Sequence, residues 1–180
     1  MNRDLQRCHD GGVDAAQPEE AAPGERQPRW LEGIEVDAWL GLIGMIIRLP
    51  AALDAQLQRD AGLSHFEYIV MVNLSNAEGH VLQMSRLAAL CHSSLSRLSH
   101  VVARLERRGW VRRDPAPDDG RATMATLTGL GFAELAAAAP GHVEAVRAYV
   151  IDALGEAQLR ELAAIGETIL RRLDGDTTGP

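Results

Sequence analysis

The alternation of apolar and polar positions shows no period over residues 1–34, where Gly, Pro, Gln and mixed charges dominate, so a disordered tail is expected there. A helical period opens near Val36. Trp39, Leu42, Ile46, Leu49, Leu53 and Leu57 recur at three- and four-residue steps and form one wide apolar stripe, interrupted at Pro50 and closed by Gly62. At Pro50 the helix either kinks or gives way to a new helix with the proline in its first turn. With Ile43, Met45 and Ile47 added, the stripe is broader than a lone surface helix needs, and part of it is expected to meet a second subunit.

Ser64-His65-Phe66-Glu67 has the form of a capping box and predicts a helix over 65–75 with Phe66, Ile69, Val70 and Leu74 inward; 76–80 reads as a turn. Ser85 is expected to cap a short helix over 86–91 that buries Leu87, Ala88 and Leu90. Ser93 or Ser94 caps the next, which runs to Arg108 with Leu95, Leu98, Val102 and Leu105 on its inner face. Gly109 follows Arg107 and Arg108, where a helix closes in a left-handed cap. Two short strands, 110–114 and 123–127, flank the turn residues 115–120. Thr128 caps a long Ala-rich helix, interrupted at Pro140-Gly141 and continuing to about 154. A last helix covers 156–173, and 175–180 is a frayed tail.

The fold class this implies is mainly α with a small β-hairpin wing: a winged helix-turn-helix lobe over 63–128, helical dimerisation segments over 35–62 and 129–174, and so one domain over 35–174.

Composition sharpens the picture. The 180 residues are 46% hydrophobic but only 4% aromatic, so the core must be aliphatic. All 18 basic residues are arginine, and the net charge is −7. Residues 84–128 carry eight Arg against four acids, net +4, which leaves −11 on the remainder. A basic segment in an acidic chain is a local electrostatic footprint for nucleic acid. Cys8 and Cys91 lie far apart and suggest no disulfide. The N-terminus lacks the apolar stretch of a signal peptide, and the longest apolar run, 38–47, is too short to span a bilayer; a cytoplasmic protein without membrane contact is expected.

The outer face of the 94–108 helix carries Ser96, Arg97, His100, Arg104 and Arg107 at helical spacing, opposite the leucines. Small hydroxyls near a helix start can approach bases or phosphates, a guanidinium such as Arg97 can fork onto guanine, and His100 can contact either; Arg104 and Arg107 suit backbone phosphates. Such a stripe alone is more often a solvated face. The hairpin that follows shifts the balance: Arg121 stands at its tip, able to enter a minor groove, with Asp119 two residues earlier able to orient it.

Leu87-Ala-Ala, the run Ser94-Leu-Ser-Arg-Leu-Ser-His-Val-Val-Ala-Arg-Leu-Glu-Arg-Arg-Gly-Trp-Val-Arg-Arg, and Asp119-Gly-Arg121 followed by Leu127-Thr128 together resemble the MarR family of bacterial transcription regulators. The wing pattern Asp-x-Arg-x5-Leu-Thr is the most specific part, and Leu63-Ser-His-Phe-Glu-Tyr68 resembles the opening of the family's second helix. The likeness covers roughly 36–174; the front tail departs from it. The resemblance implies a homodimer of interlocked terminal helices above two winged lobes. In it Ser94, Ser96, Arg97 and His100 read the major groove of double-stranded DNA, Arg121 enters the minor groove and Asp119 steadies the wing. A dimer would place its recognition helices about one helical turn, ~34 Å, apart on a pseudo-palindrome.

The resemblance also implies an effector, commonly a small phenolic or anionic ligand, bound between the dimer helices and the lobe. Trp39, Met45, His65, Tyr68 and Met71 are candidates to line that space, although ordinary core positions account for them better. Cys91 precedes the recognition helix and invites a redox reading, against which stands a buried structural thiol. His92, His100 and Cys91 lack convincing metal spacing, and no cofactor motif or catalytic constellation stands out, so no metal, cofactor or enzyme is expected. The competing reading is a helical dimer working through protein–protein contacts with the lobe kept as scaffold, favoured by the acidic remainder.

Overall fold

The computed structural model of the chain describes residues 28–116 and 122–176. The chain divides into two compact units, 1–39 and 40–180. In the first, Arg29 Nη2 lies 2.6 Å from Glu35 Oε1, and the Glu32 N–H donates to the same carboxylate at 3.4 Å. Helix α1 (Ile34–Ala61) opens there with Glu35 and Asp37 in its first turn, where acids suit the helix dipole. It runs unbroken to Ala61 with Pro50 inside, so no second helix begins at the proline. Gly62 at φ +62° ends it. Only Leu53, Gln56 and Leu57 of α1 are buried. Its full length and apolar composition would allow it to cross a membrane, which the shorter run read from the sequence did not suggest.

Helix α2 (His65–Asn76) starts with both halves of the capping box in place: the Glu67 N–H donates to Ser64 Oγ, and the Ser64 N–H donates to the Glu67 carboxylate. After a 3-10 turn, Glu78–His80, comes strand β1 (Val81–Gln83), then α3 (Met84–Leu90) and α4 (Leu95–Arg107). The turn between α3 and α4 puts His92 at φ +45°, a conformation favouring glycine. Strands β2 (Val111–Pro115) and β3 (Thr123–Leu127) pair antiparallel, Val111 opposite Leu127 and Pro115 opposite Thr123. Helix α5 (Gly129–Val146) begins on Thr128, whose Oγ1 accepts the Gly131 N–H at 3.0 Å. A π-turn over Arg147–Ile151 leads on to α6 (Glu156–Asp176).

The core joins Leu57, Leu63, Val70, Met71 and Leu74 to Leu87, Leu98, Val102 and Leu105, sealed by Val111, Ala125, Leu127, Leu135 and Ala138. It is aliphatic, as the composition required.

Several expectations are corrected. The wing is the outer part of a three-stranded sheet in the order β1-β3-β2, because Val81–Gln83 pairs with Met124–Thr126; three residues are too few to show a strand period. Ser85 does not cap α3: β1 runs straight into the helix, Gln83 takes the cap position without a side-chain bond, and Ser85 falls in the first turn. Ser94, not Ser93, caps α4, its Oγ accepting the Arg97 N–H at 3.2 Å. Leu90 and Leu95, assigned to the interior, are 45% and 50% exposed. Val101 takes the inner place expected of Leu95. Pro140 lies within α5, which continues through it to Val146. Helix α6 extends to Asp176, two residues into the segment expected to fray.

Candidate nucleic-acid interface

Helix α4 is the most sharply two-sided element. Leu98, Val101, Val102 and Leu105 are buried, while Ser96, Arg97, His100, Arg104 and Arg107 are exposed along the opposite face. Ser94 stands at its N-cap, so the structure brings Ser94, Ser96, Arg97, His100 and Arg104 together on one crevice of about 540 Å³. Asp54, Ser64 and Phe66 form the facing wall. Asp119 and Arg121 lie outside the described residues, as does Cys8.

Few of the arginines around α4 are idle. Arg104 Nε donates to Glu67 Oε1 at 3.0 Å, and Arg97 Cζ sits 4.6 Å from the centroid of the Phe66 ring. Burial alone would push the Glu67 carboxyl up, but its hydrogen bonds from Ser64 and Arg104 and the Arg104 charge outweigh that and hold it below its ordinary value. Arg108 donates to the Gly62 carbonyl at 2.9 Å and stacks on Trp110. Arg113 Nη2 lies 2.6 Å from Glu106 Oε2, and its backbone N–H donates to Oε1 of the same carboxylate, tying β2 to α4. These Arg113 hydrogen bonds draw the Glu106 carboxyl down. At the wing's base Arg113 also borders a cavity of about 220 Å³, with Ser85, Leu95 and Ser99. Arg97, Arg104, Arg108 and Arg113 are thus each held by a specific partner.

The five effector candidates have different settings. Met71 is fully buried in the core, and Trp39 is half exposed in the first unit. Met45 lines a separate open crevice with Leu40, Arg48 and Tyr149. His65 and Tyr68 do meet, around a residue the sequence did not single out: His142 of α5, whose ring lies 4.3 Å from Tyr68 and 5.6 Å from His65. A lone histidine in an Ala-rich helix gives no signal of such a cluster. Burial lowers the pKa of both histidines; for His142 the neighbouring His65 adds to it, whereas Asp54 partly offsets the effect on His65. Burial also pushes the Tyr68 phenol up. Gln56 is buried beside Gly141, and its Oε1 and the His142 Nδ1 have no hydrogen-bond partner among the described residues.

Cys91 is buried and its thiol is pushed up by burial, with Asn73 Nδ2 at 3.8 Å from Sγ. Less thiolate means a poorer target for oxidants, which weighs against the redox reading. Among the described residues no group of three or more His, Cys, Asp and Glu side chains is placed to hold a metal ion.

Comparison with known proteins meets this geometry from the other side. Residues 61–122 match the model of the MarR family. Sco3205, a MarR family transcriptional regulator from Streptomyces coelicolor solved in complex with DNA, is 42% identical, with 83% of this chain and 93% of that one covered and a TM-score of 0.79. AbsC, a MarR family transcriptional regulator from the same organism, is 37% identical over 82% of this chain and 99% of its own, with a TM-score of 0.78. The transcriptional repressor MprA of Escherichia coli is 26% identical over 113 residues; the match spans 63% of this chain and 64% of that repressor's length. A three-stranded winged lobe with this capped, Arg-striped helix, and likeness at this level along most of the chain, place the protein in the MarR family of transcriptional regulators, which are not enzymes.

Proposed function

We propose that the chain binds double-stranded DNA sequence-specifically, as a homodimer on a pseudo-palindromic operator, and acts as a repressor in the cytoplasm. The observation that carries the DNA reading is the outer face of α4: Ser96, Arg97, His100 and Arg104 exposed on one stripe of a helix whose other face is core, in a chain 42% identical to a regulator solved with DNA. Ser94, Ser96, Arg97 and His100 read base edges in the major groove, and Arg104 holds a phosphate. Arg121, between β2 and β3 in the chain, reaches the minor groove with Asp119 supporting it. The lobe is 63–128 and the pairing segments are 35–62 and 129–174, within a domain of 35–174.

Pairing is supported by apolar faces left open. No residue of α6 through Gly175 is buried, yet Ile165, Ile169 and Leu170 share one side of it. In α1, Met45, Ile46 and Ile47 are exposed. Faces of this kind mark an interface, and closed two-fold pairing is the commonest way to cover them. This also accounts for the length of α1 without a membrane. A small phenolic or anionic effector would act where His65 and Tyr68 meet His142, between α2 and α5.

The test is selection of duplexes from a randomised library, followed by equilibrium binding at several salt concentrations. The expected result is a recovered inverted repeat, bound with a steep loss of affinity as salt rises. Arg121→Ala should weaken binding without moving the melting temperature; unchanged affinity would remove the wing from the interface. Recovery of no common sequence would favour the scaffold reading.

A further inference from the structure

The first turn of α2 touches α4 through two different kinds of contact. Glu67 has a side chain only 6% exposed, and both carboxylate oxygens are engaged: Oε2 accepts the Ser64 N–H and hydroxyl, each at 2.8 Å, while Oε1 accepts Arg104 Nε at 3.0 Å. Arg104 stays 47% exposed. Glu67 takes its Nε, and Arg104 lines the crevice that Arg97 and His100 share, which leaves the two outer nitrogens to donate elsewhere. One residue earlier, the half-buried Phe66 ring lies under the Arg97 guanidinium. The turn is itself anchored from behind, since the His65 N–H donates to Asp54 Oδ1 of α1 at 2.8 Å.

We propose that the first turn of α2 is a positioning element for the recognition helix: Phe66 holds Arg97 and Glu67 holds Arg104, so that both guanidinium groups are in place before DNA arrives. This rests on the DNA reading above. A free arginine has many rotamers, and ordering them on binding costs affinity; a side chain already braced by a carboxylate or an aromatic face loses less. Glu67 and Phe66 touch no base or phosphate in this scheme. They act through the arginines, and that separates them from the contacts themselves.

The experiment uses the full chain, a duplex recovered by the wild type from a randomised library, and an unrelated duplex of equal length, with affinity read by fluorescence anisotropy over a range of salt. Arg104→Met should lower the slope of log affinity against log salt by about one per protomer, as loss of one phosphate contact does. Arg104→Lys should keep the slope and bind about two- to tenfold more weakly, because the charge stays while the braced fork is lost. Glu67→Gln should weaken binding about two- to tenfold in the parent and leave it unchanged on top of Arg104→Met, the non-additivity expected of a residue acting through another. Phe66→Ala should cost about two- to fivefold on the selected duplex and narrow its margin over the unrelated one, with Phe66→Trp restoring both. A wild-type slope in Arg104→Met, or a Glu67→Gln effect equal in both backgrounds, would make the ion pair a purely structural one and overturn the inference. A wild type that recovers no duplex would instead remove the DNA reading beneath it. Should Glu67→Gln fail to fold, the exposed Arg104→Lys and the Phe66 variants still decide.

Discussion

Two half-buried imidazoles lie next to each other where α2 meets α5. His65 and His142 face each other at 5.6 Å, and Tyr68 lies against His142. On the α1 side Asp54 accepts from the His65 backbone, and Gln56 hydrogen-bonds Asp60 next to Gly141. Burial lowers the pKa of both histidines, and each charge would oppose the other. A group whose folded pKa is lowered binds fewer protons in the folded state than in the unfolded one between those two values. Stability tied to the neutral pair is therefore present above the ordinary imidazole pKa, about 6.5, and is lost as pH falls below it toward the folded values. The melting temperature should fall as pH is taken from about 7.5 to 5.5, and His142→Gln should flatten that segment. A wild-type profile flat over this range would mean that the pair titrates alike in both states. Glu67 and Glu106, whose pKa values are lowered, lose their contribution only further down, in the carboxylate range, so the two effects separate on the pH axis.

Helix α5 owes its place to the absence of one side chain. A Cβ on Gly131 would stand 2.1 Å from the Trp110 carbonyl oxygen and 2.9 Å from Leu127 Cδ1. Thr128 closes the same junction, its N–H and hydroxyl both directed at the 109–110 backbone. Gly131→Ala would gain about 1 kcal/mol of helix propensity. The contact is with main chain that cannot step aside, and forced overpacking costs about 1–3 kcal/mol or more. The clash should win, with a net loss of about 2 kcal/mol in urea unfolding followed by tryptophan fluorescence; an unchanged midpoint would show that α5 can lift off the strand. Elements of this kind divide by what the sequence can display. The capping box at Ser64, the Ser94 and Thr128 caps and the stripe of α4 depend on neighbours three or four residues away, so residue type and spacing reveal them. The β1 strand, the cap of α3 and the exposure of Leu90 and Leu95 depend on which distant segment arrives, and no local period encodes that. Glu67 shows both cases at once. Its place in the capping box was legible, whereas its ion pair with Arg104, 37 positions on, and the meeting of His65 with His142 exist only in the folded chain.

At the level of the whole molecule the charge balance and the open apolar faces point the same way. A chain of net charge −7 approaches a polyanion with its basic segment leading, because the remaining −11 repels it in other orientations. One such lobe carries few contacts, and specificity on a genome requires more. In the proposed homodimer two lobes on one frame would supply them, since the second would bind at the effective concentration set by the first. The frame has to come from segments the lobe leaves uncovered, and α6 is the clearest of these. Ile165, Ile169 and Leu170 stay exposed on it among the described residues, and most helical stability in proteins comes from packing an amphipathic face. Ile165→Glu combined with Ile169→Glu should therefore halve the mass seen by light scattering while the hydrophobic core, which neither residue enters, keeps its unfolding transition. DNA affinity should then drop by about a hundredfold or more, the factor that bivalency contributes. A variant that remained dimeric would move the pairing face to α1 and α5, and one that became monomeric yet bound DNA as tightly as the parent would show that each lobe reads its site alone.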